Sequence, residues 1–194
     1  MKKLLSLMIV VGLSLASPAA WAAGDEAESG SKKAASAAEK RAEIDKVAKE
    51  ALAEILEKSD KARGLYEKAS GWAVFDNLRI TFILSGGGGT GVAVNKASGK
   101  RTYMKMGTGG IAFGIGAQKY QVIMFFDTEE RLTNFIEKGW KAETGADASA
   151  GTKGAGVGTE FIDGIAVYKL TEKGLMASAD LSGTKYSLNK KLNN

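Results

Sequence analysis

The sequence predicts an α+β fold: a mostly antiparallel, strongly curved, glycine-rich sheet, barrel- or sandwich-like, with an N-terminal amphipathic helix and short flanking helices. Three observations carry this expectation. Apolar residues recur with helical period from Ile44 to Leu56, and the period changes to two beyond Gly71. The 25 glycines of the 194-residue chain then fall repeatedly inside the period-two segments, where they mark bends or close backbone approach.

Taken in order, residues 1–22 read as a secretory signal peptide. Lys2 and Lys3 form a charged start, "LLSLMIVVGLSLA" is an apolar run of the right length, and Ala20-Trp21-Ala22 offers a cleavage site before Ala23. Residues 23–31, small, polar and acidic, read as a disordered spacer. Residues 32–58 read as one amphipathic helix. Ile44, Val47, Ala48, Ala51, Leu52, Ile55 and Leu56 make its stripe, and Glu43, Lys46, Glu50, Glu54 and Glu57 its opposite face.

The remainder, 59–194, forms a single domain. Ser59 or Asp60 caps a short second helix that stops at Gly71. Strands are expected at "WAVF", "LRITFIL", "GVAVN", "KRTYMKM", "GIAFGIGAQKYQVIMFF", "TGADASAG", "GVGTEF", "GIAVYKL" and "LMASADLSGTKYSL". A third helix interrupts them, capped by Asp127 or Thr128, facing inward through Leu132, Phe135 and Ile136, and ended by Gly139.

The run "SGGGGTG" at Ser85–Gly91 raises the possibility of a phosphate cradle, and its context removes it. A P-loop requires Lys followed by Ser or Thr after the glycines, whereas "VAV" follows here. A dinucleotide fingerprint opens a helix, and this one opens a strand. The glycines are therefore expected to thin the backbone so that a small sheet curves and closes on itself.

Composition excludes much chemistry. The chain has no His and no Cys, so disulfides, the usual zinc and haem ligand sets, and Ser-His-Asp or Cys-His catalysis are excluded. No acidic calcium-loop spacing appears either, so no cofactor is expected. Removing residues 1–22 takes two lysines and no acid from the net charge of +5, leaving +3, an excess too small to suggest nucleic acid. From Asp60 onward 18 basic residues face 13 acidic ones, whereas 23–59 holds seven and nine, so the positive charge belongs to the β-rich part. Its densest cluster is Lys96, Lys100, Arg101 and Lys105, with Tyr103 sharing the strand face of Arg101 and Lys105. Long cationic stems around a tyrosine suit a surface that is apolar below and phosphate-rich above. Lys119 joins this candidate set, with Arg79, Lys32 and Lys33 as lesser members.

The order of these segments resembles the SYLF domain, also called the Ysc84-type or DUF500 domain. The segments that carry the resemblance are "ASGWAVF" (69–75), "ITFILSGGGGTGVAV" (80–94), "GGIAFGIGAQ" (109–118), "YQVIMFFDTEERLTNFI" (120–136), "TGADASAGTKG" (144–154) and "GLMASADLSG" (174–183). They cover nearly all the chain after about residue 50. Two positions depart from the pattern: Asp76 stands where the family's "V-F-P" ends, and Gln121 where an aspartate is common. Asp147, in "GADAS", matches the family motif and is expected to serve as a structural hydrogen-bond acceptor. The resemblance implies a lipid-binding, non-catalytic domain. The expectation is an exported protein of the periplasm or outer-membrane periphery, or secreted beyond it, that binds anionic phospholipid through Lys96, Lys100, Arg101, Tyr103, Lys105 and Lys119. The alternatives are a small outer-membrane β-barrel and a structural envelope protein without lipid specificity.

Overall fold

A computed structural model describes the backbone of residues 19–142, 160–172, 174–176 and 184–194, and the side chains of these except at 19–33, 82–85, 110–115, 141–142 and 175–176. The chain divides into two units, Met1–Ser36 and Ala37–Asn194, and the second carries the fold. Helix α1 spans Ala19–Lys58, a range longer at its start than the 32–58 expected, and α2 spans Asp60–Lys68. Strands β1 (Gly71–Asn95) and β2 (Arg101–Phe126) follow, then α3 (Glu129–Lys138), β3 (Trp140–Ala142), β4 (Ile165–Thr171), β5 (Gly174–Met176) and β6 (Thr184–Leu188). The mixed α+β architecture and the antiparallel pairing agree with the sequence. The strand candidates at 144–151 and most of that at 156–161, with Asp147, lie outside the described residues.

Local signals fix the helix ends. Ser59 accepts from the Ala62 amide at 3.2 Å and Thr128 from the Arg131 amide at 3.3 Å, each occupying an otherwise unpaired first-turn N–H. Gly139 sits at φ +69 and releases the chain from α3, a conformation that glycine adopts without steric cost. Between β1 and β2 the turn 95–100 is closed by hydrogen bonds from the Asn95 amide to the Lys100 carbonyl and from the Ser98 amide to the Asn95 side chain, with Gly99 at φ +68.

The three strands expected between 72 and 95 are one strand, and the two between 100 and 126 are another. They pair antiparallel along their whole length, from Val94↔Arg101 out to Gly71↔Phe126, with one register shift between Phe82 and Leu84. The second edge of β2 is shared: its first part pairs with β6 and its last part with β4. β3 extends the sheet beyond β6, and β5 beyond β4.

The long ribbon turns back on itself, and inward-facing glycines permit it. A Cβ at Gly87 would lie 2.5 Å from the Leu78 carbonyl oxygen; at Gly89 it would collide with that of Asp76, and at Gly91 with that of Val74. The two halves of β1 therefore touch backbone to backbone. Phe75 from the first half meets Tyr186 of β6 at 4.7 Å between ring centroids, with Phe135 of α3 beside both. Ala73, Val122, Met124 and Phe126 join Ala93, Met104 and Met106 in this inner core.

The curved antiparallel sheet is present, but the expectation that it closes on itself is corrected. The path of strands runs β3-β6-β2-β4-β5, with β1 paired to β2 off that path, and its two ends do not pair with each other. Among the described residues the sheet is open. Curvature comes from folding one ribbon over rather than from joining edges.

The opposite face of the sheet carries the helices. Val74, Val92, Val94, Tyr103, Ile123, Phe125, Tyr168 and Leu170 pack under Ala48, Ala51, Leu52 and Ile55 of α1 and Ala62 and Leu65 of α2. The α1 stripe thus docks on the protein's own core. Burying a side chain such as Ile55 fully contributes about 1.5–3 kcal/mol, which is what holds the helix there. No helix of the described residues is long and apolar enough to cross a membrane.

Candidate functional site

The helix-bearing face of the sheet is covered only in part. Period two continues that face along β1 through Val74, Asp76, Leu78 and Ile80, and along β2 through Tyr103, Lys105 and Gly107 in one half and Gln121 and Lys119 in the other. Val74 and Tyr103 lie beneath α1, whereas Leu78 is 49% and Ile80 56% exposed. Lys119 pairs across the ladder with Leu78, Lys105 with Thr90, and Lys185 of β6 with Gly107. Lys105, Lys119 and Lys185 are all exposed. Since Gly87 touches Leu78 and Gly89 touches Asp76, both halves of the folded ribbon contribute to one surface. That surface carries two exposed apolar side chains and three ammonium groups, with Lys119 the cross-strand neighbour of Leu78.

Glycine has a second role on this surface. Gly86, Gly88, Gly107 and Gly109 belong to the outward register and are exposed. A Cβ at Gly86, Gly107 or Gly109 would meet nothing within 4 Å. Packing therefore does not require these glycines, in contrast to Gly87, Gly89 and Gly91. Their effect is a stretch of accessible backbone beside the lysines.

The residues expected to bind lipid divide into two groups. Lys100 and Lys105 are exposed. Lys119 is held at 3.3 Å by Asp76 but keeps 58% of its side chain in solvent. Three others are occupied within the fold. Lys96 donates to the Tyr66 carbonyl at 2.7 Å and the Glu67 carbonyl at 3.3 Å and lies 4.5 Å from the centre of the Tyr66 ring, so it neutralises the C-terminal end of α2. Arg101 pairs with Asp45 of α1 at 2.7 Å, with 54% of its side chain exposed. Tyr103 is buried and donates its hydroxyl to the same Asp45 oxygen at 3.1 Å, which corrects its reading as an interfacial side chain. Burial first, and then the hydrogen bond to Asp45, raise the Tyr103 pKa above its ordinary value, so it stays a donor to the carboxylate. Asp45 is thus the point at which α1 is strapped to β2.

Sequence reasoning missed Leu78, Ile80 and Lys185 as members of one surface. Alternation did carry a signal for Lys185, because the inward Tyr186 beside it forces it outward. The two departures from the SYLF pattern prove to be neighbours. Asp76 and Gln121 are cross-strand partners, and the Gln121 amide donates to Asp76 at 2.9 Å.

Comparison with known proteins gives the family. Residues 107–194 match the family described as Ysc84, Las17-binding protein actin regulator. Residues 107–194 belong to the Ysc84, or SYLF, family. The chain is also similar to Beta cell expansion factor A of Aeromonas veronii, with 38% identity over 156 residues, covering 80% of this chain and 60% of that protein. The chain thus spans about 60% of that relative's length. Within the Ysc84 match fall Gly107, Gly109, Lys119, Gln121 and Lys185, whereas Leu78, Ile80 and Lys105 lie ahead of it.

Proposed function

We propose that this chain is an exported, non-catalytic protein that adsorbs on anionic phospholipid surfaces through the uncovered face of its sheet. The observation that carries the reading is that exposed Leu78 and Ile80 share the outward register of the glycine-rich ribbon with exposed Lys105, Lys119 and Lys185. Apolar side chains enter the acyl boundary while ammonium groups remain with the phosphates. Each lysine near an anionic leaflet contributes about 1 kcal/mol, so three give weak, reversible, salt-sensitive binding. Membership of residues 107–194 in the Ysc84 family supports a lipid-binding type of domain. The signal-like residues 1–22 support export and thus a site in the periplasm or at the outer-membrane periphery. Arg101 and Lys96 act within the fold in this reading, and Lys100 extends the cationic rim.

Vesicle flotation at low salt tests the proposal. Binding is expected with vesicles containing anionic lipid and absent with neutral vesicles. Reversing two charges, Lys105→Glu with Lys185→Glu, is expected to weaken binding at least tenfold with the thermal melt unchanged. Ile80→Asp is expected to weaken the binding that persists at high salt. Equal binding to neutral and anionic vesicles, or full binding by both variants, would sink the reading.

A further inference from the structure

A cavity of about 340 Å³ lies between the first described turns of α1's apolar stripe and the sheet. Ile44, Val47 and Ala48 line it from the helix; Ile44 and Val47 are half-buried there, whereas Ala51 and Ile55, further along the stripe, are buried. Val74 and Leu192 form its floor. Two cations, Lys40 from α1 and Lys191 from the final 3₁₀ turn Lys190–Leu192, stand at the rim, both exposed and without an ion-pair partner among the described residues. Of the two acids on the lining, Asp76 is already engaged by Lys119 and Gln121, whereas Glu43 is exposed. The helix is tied down beside the cavity by polar contacts: Asp45 to Arg101 and Tyr103, and Arg41 to the Leu192 carbonyl at 3.2 Å.

We infer that this cavity binds a single-chain anionic amphiphile, its alkyl chain on Ile44, Val47, Val74 and Leu192 and its acidic head between Lys40 and Lys191. An apolar floor beneath a few polar groups that fix orientation is the usual form of a small-molecule site. The volume lies at the low end of the range of about 300–1,000 Å³ for such sites, which suits one chain rather than two. At about 30 Å³ for each water-sized group, the space holds on the order of ten methylenes. The acidic head has two possible sources, a carboxylate or a phosphate monoanion, and both present oxygens to two ammonium groups. The cavity adjoins the proposed membrane face at Asp76 and Thr90, but Leu78, Ile80, Lys105, Lys119 and Lys185 do not line it, so the two readings are tested by different residues.

Calorimetric titration of the full chain with fatty acids and with lysophospholipids of increasing chain length, each below its micelle concentration, tests the inference. Affinity is expected to rise about fourfold with each added methylene and to level near ten carbons, where the cavity is full. Whichever head binds more tightly at equal chain length identifies the source. Val47→Phe fills the cavity and is expected to remove binding while vesicle flotation persists. The rim double variant Lys40→Glu with Lys191→Glu leaves the packing intact and is expected to weaken binding at least tenfold, so the test survives if Val47→Phe misfolds. Affinity that keeps rising past the expected limit, heat equal to that from inorganic phosphate alone, or unchanged binding by the rim variant would overturn the assignment.

Discussion

Replacing Gly89 or Gly91 with alanine sets one methyl group against the backbone of the same strand. At Gly89 the new carbon would collide with the Asp76 carbonyl oxygen and the Asn77 side chain; at Gly91, with the Val74 carbonyl oxygen, and it would lie 2.5 Å from the Phe75 ring. A carbonyl oxygen in a paired strand has no rotamer to change, so relief requires the two halves of the ribbon to separate. Overpacking of this kind costs about 1–3 kcal/mol, which for a chain of this size lowers Tm by about 2–12 °C. Gly107→Ala and Gly109→Ala provide the contrast. Neither position has a positive φ, and neither new methyl meets an atom within 4 Å. Alanine there removes backbone freedom from the unfolded chain, a gain of about 0.4–1 kcal/mol or about 1–4 °C. Urea titration and thermal melts of the four single variants measure the difference directly. If Gly89→Ala and Gly107→Ala shift stability in the same direction by similar amounts, the division of glycines into an inner contact row and an outer open row is wrong.

Two further outcomes follow from the buried polar groups. Burial pushes the Tyr168 pKa up to about 12, and burial first, with the nearby Tyr120, raises that of Tyr186 well above its ordinary value. Because the folded values exceed the unfolded one of about 10, this stability is complete below pH ~10 and is lost as pH rises through about 12. Alkaline titration followed by phenolate absorbance and circular dichroism should show late ionisation that coincides with unfolding; ordinary ionisation with a native spectrum would contradict the burial. For the strap on α1, Asp45→Asn combined with Arg101→Met in a double-mutant cycle should give a coupling of about 0.5–1 kcal/mol, modest because the Arg101 side chain is 54% exposed. Zero coupling in urea titrations would mean that packing alone seats the helix.

The helical stripe from Ile44 to Leu56, the period-two register and the third helix were legible because each depends on nearest neighbours along the chain. The joining of segments into two long strands was not. A glycine in "LSGGGGTG" reads alike whether it marks a turn or lets two backbones meet, and only the position of Asp76 and Val74 across the fold distinguishes the two. The same limit governs the candidate surface. Alternation placed Arg101, Tyr103 and Lys105 on one face correctly, yet α1, 56 residues from Arg101 at Asp45, decides that Tyr103 is covered and Lys105 is not. Lys96 illustrates the point from the other side, since its role depends on where the last carbonyls of α2 come to rest.

The shared ribbon also orders the assembly of the chain. Its pairs begin at Val94↔Arg101, seven positions apart, and end at Gly71↔Phe126, 55 apart. Closing the largest of these loops directly costs about 2 kcal/mol more than closing the smallest, so zipping outward from the Gly99 turn is the cheaper route. The platform that the remaining elements recognise, the free edge of β2 and the seat for the leading helix, exists only once that zipper has run and doubled over. A chain emerging from its N-terminus must therefore hold its first helix in waiting until Phe126 has been made.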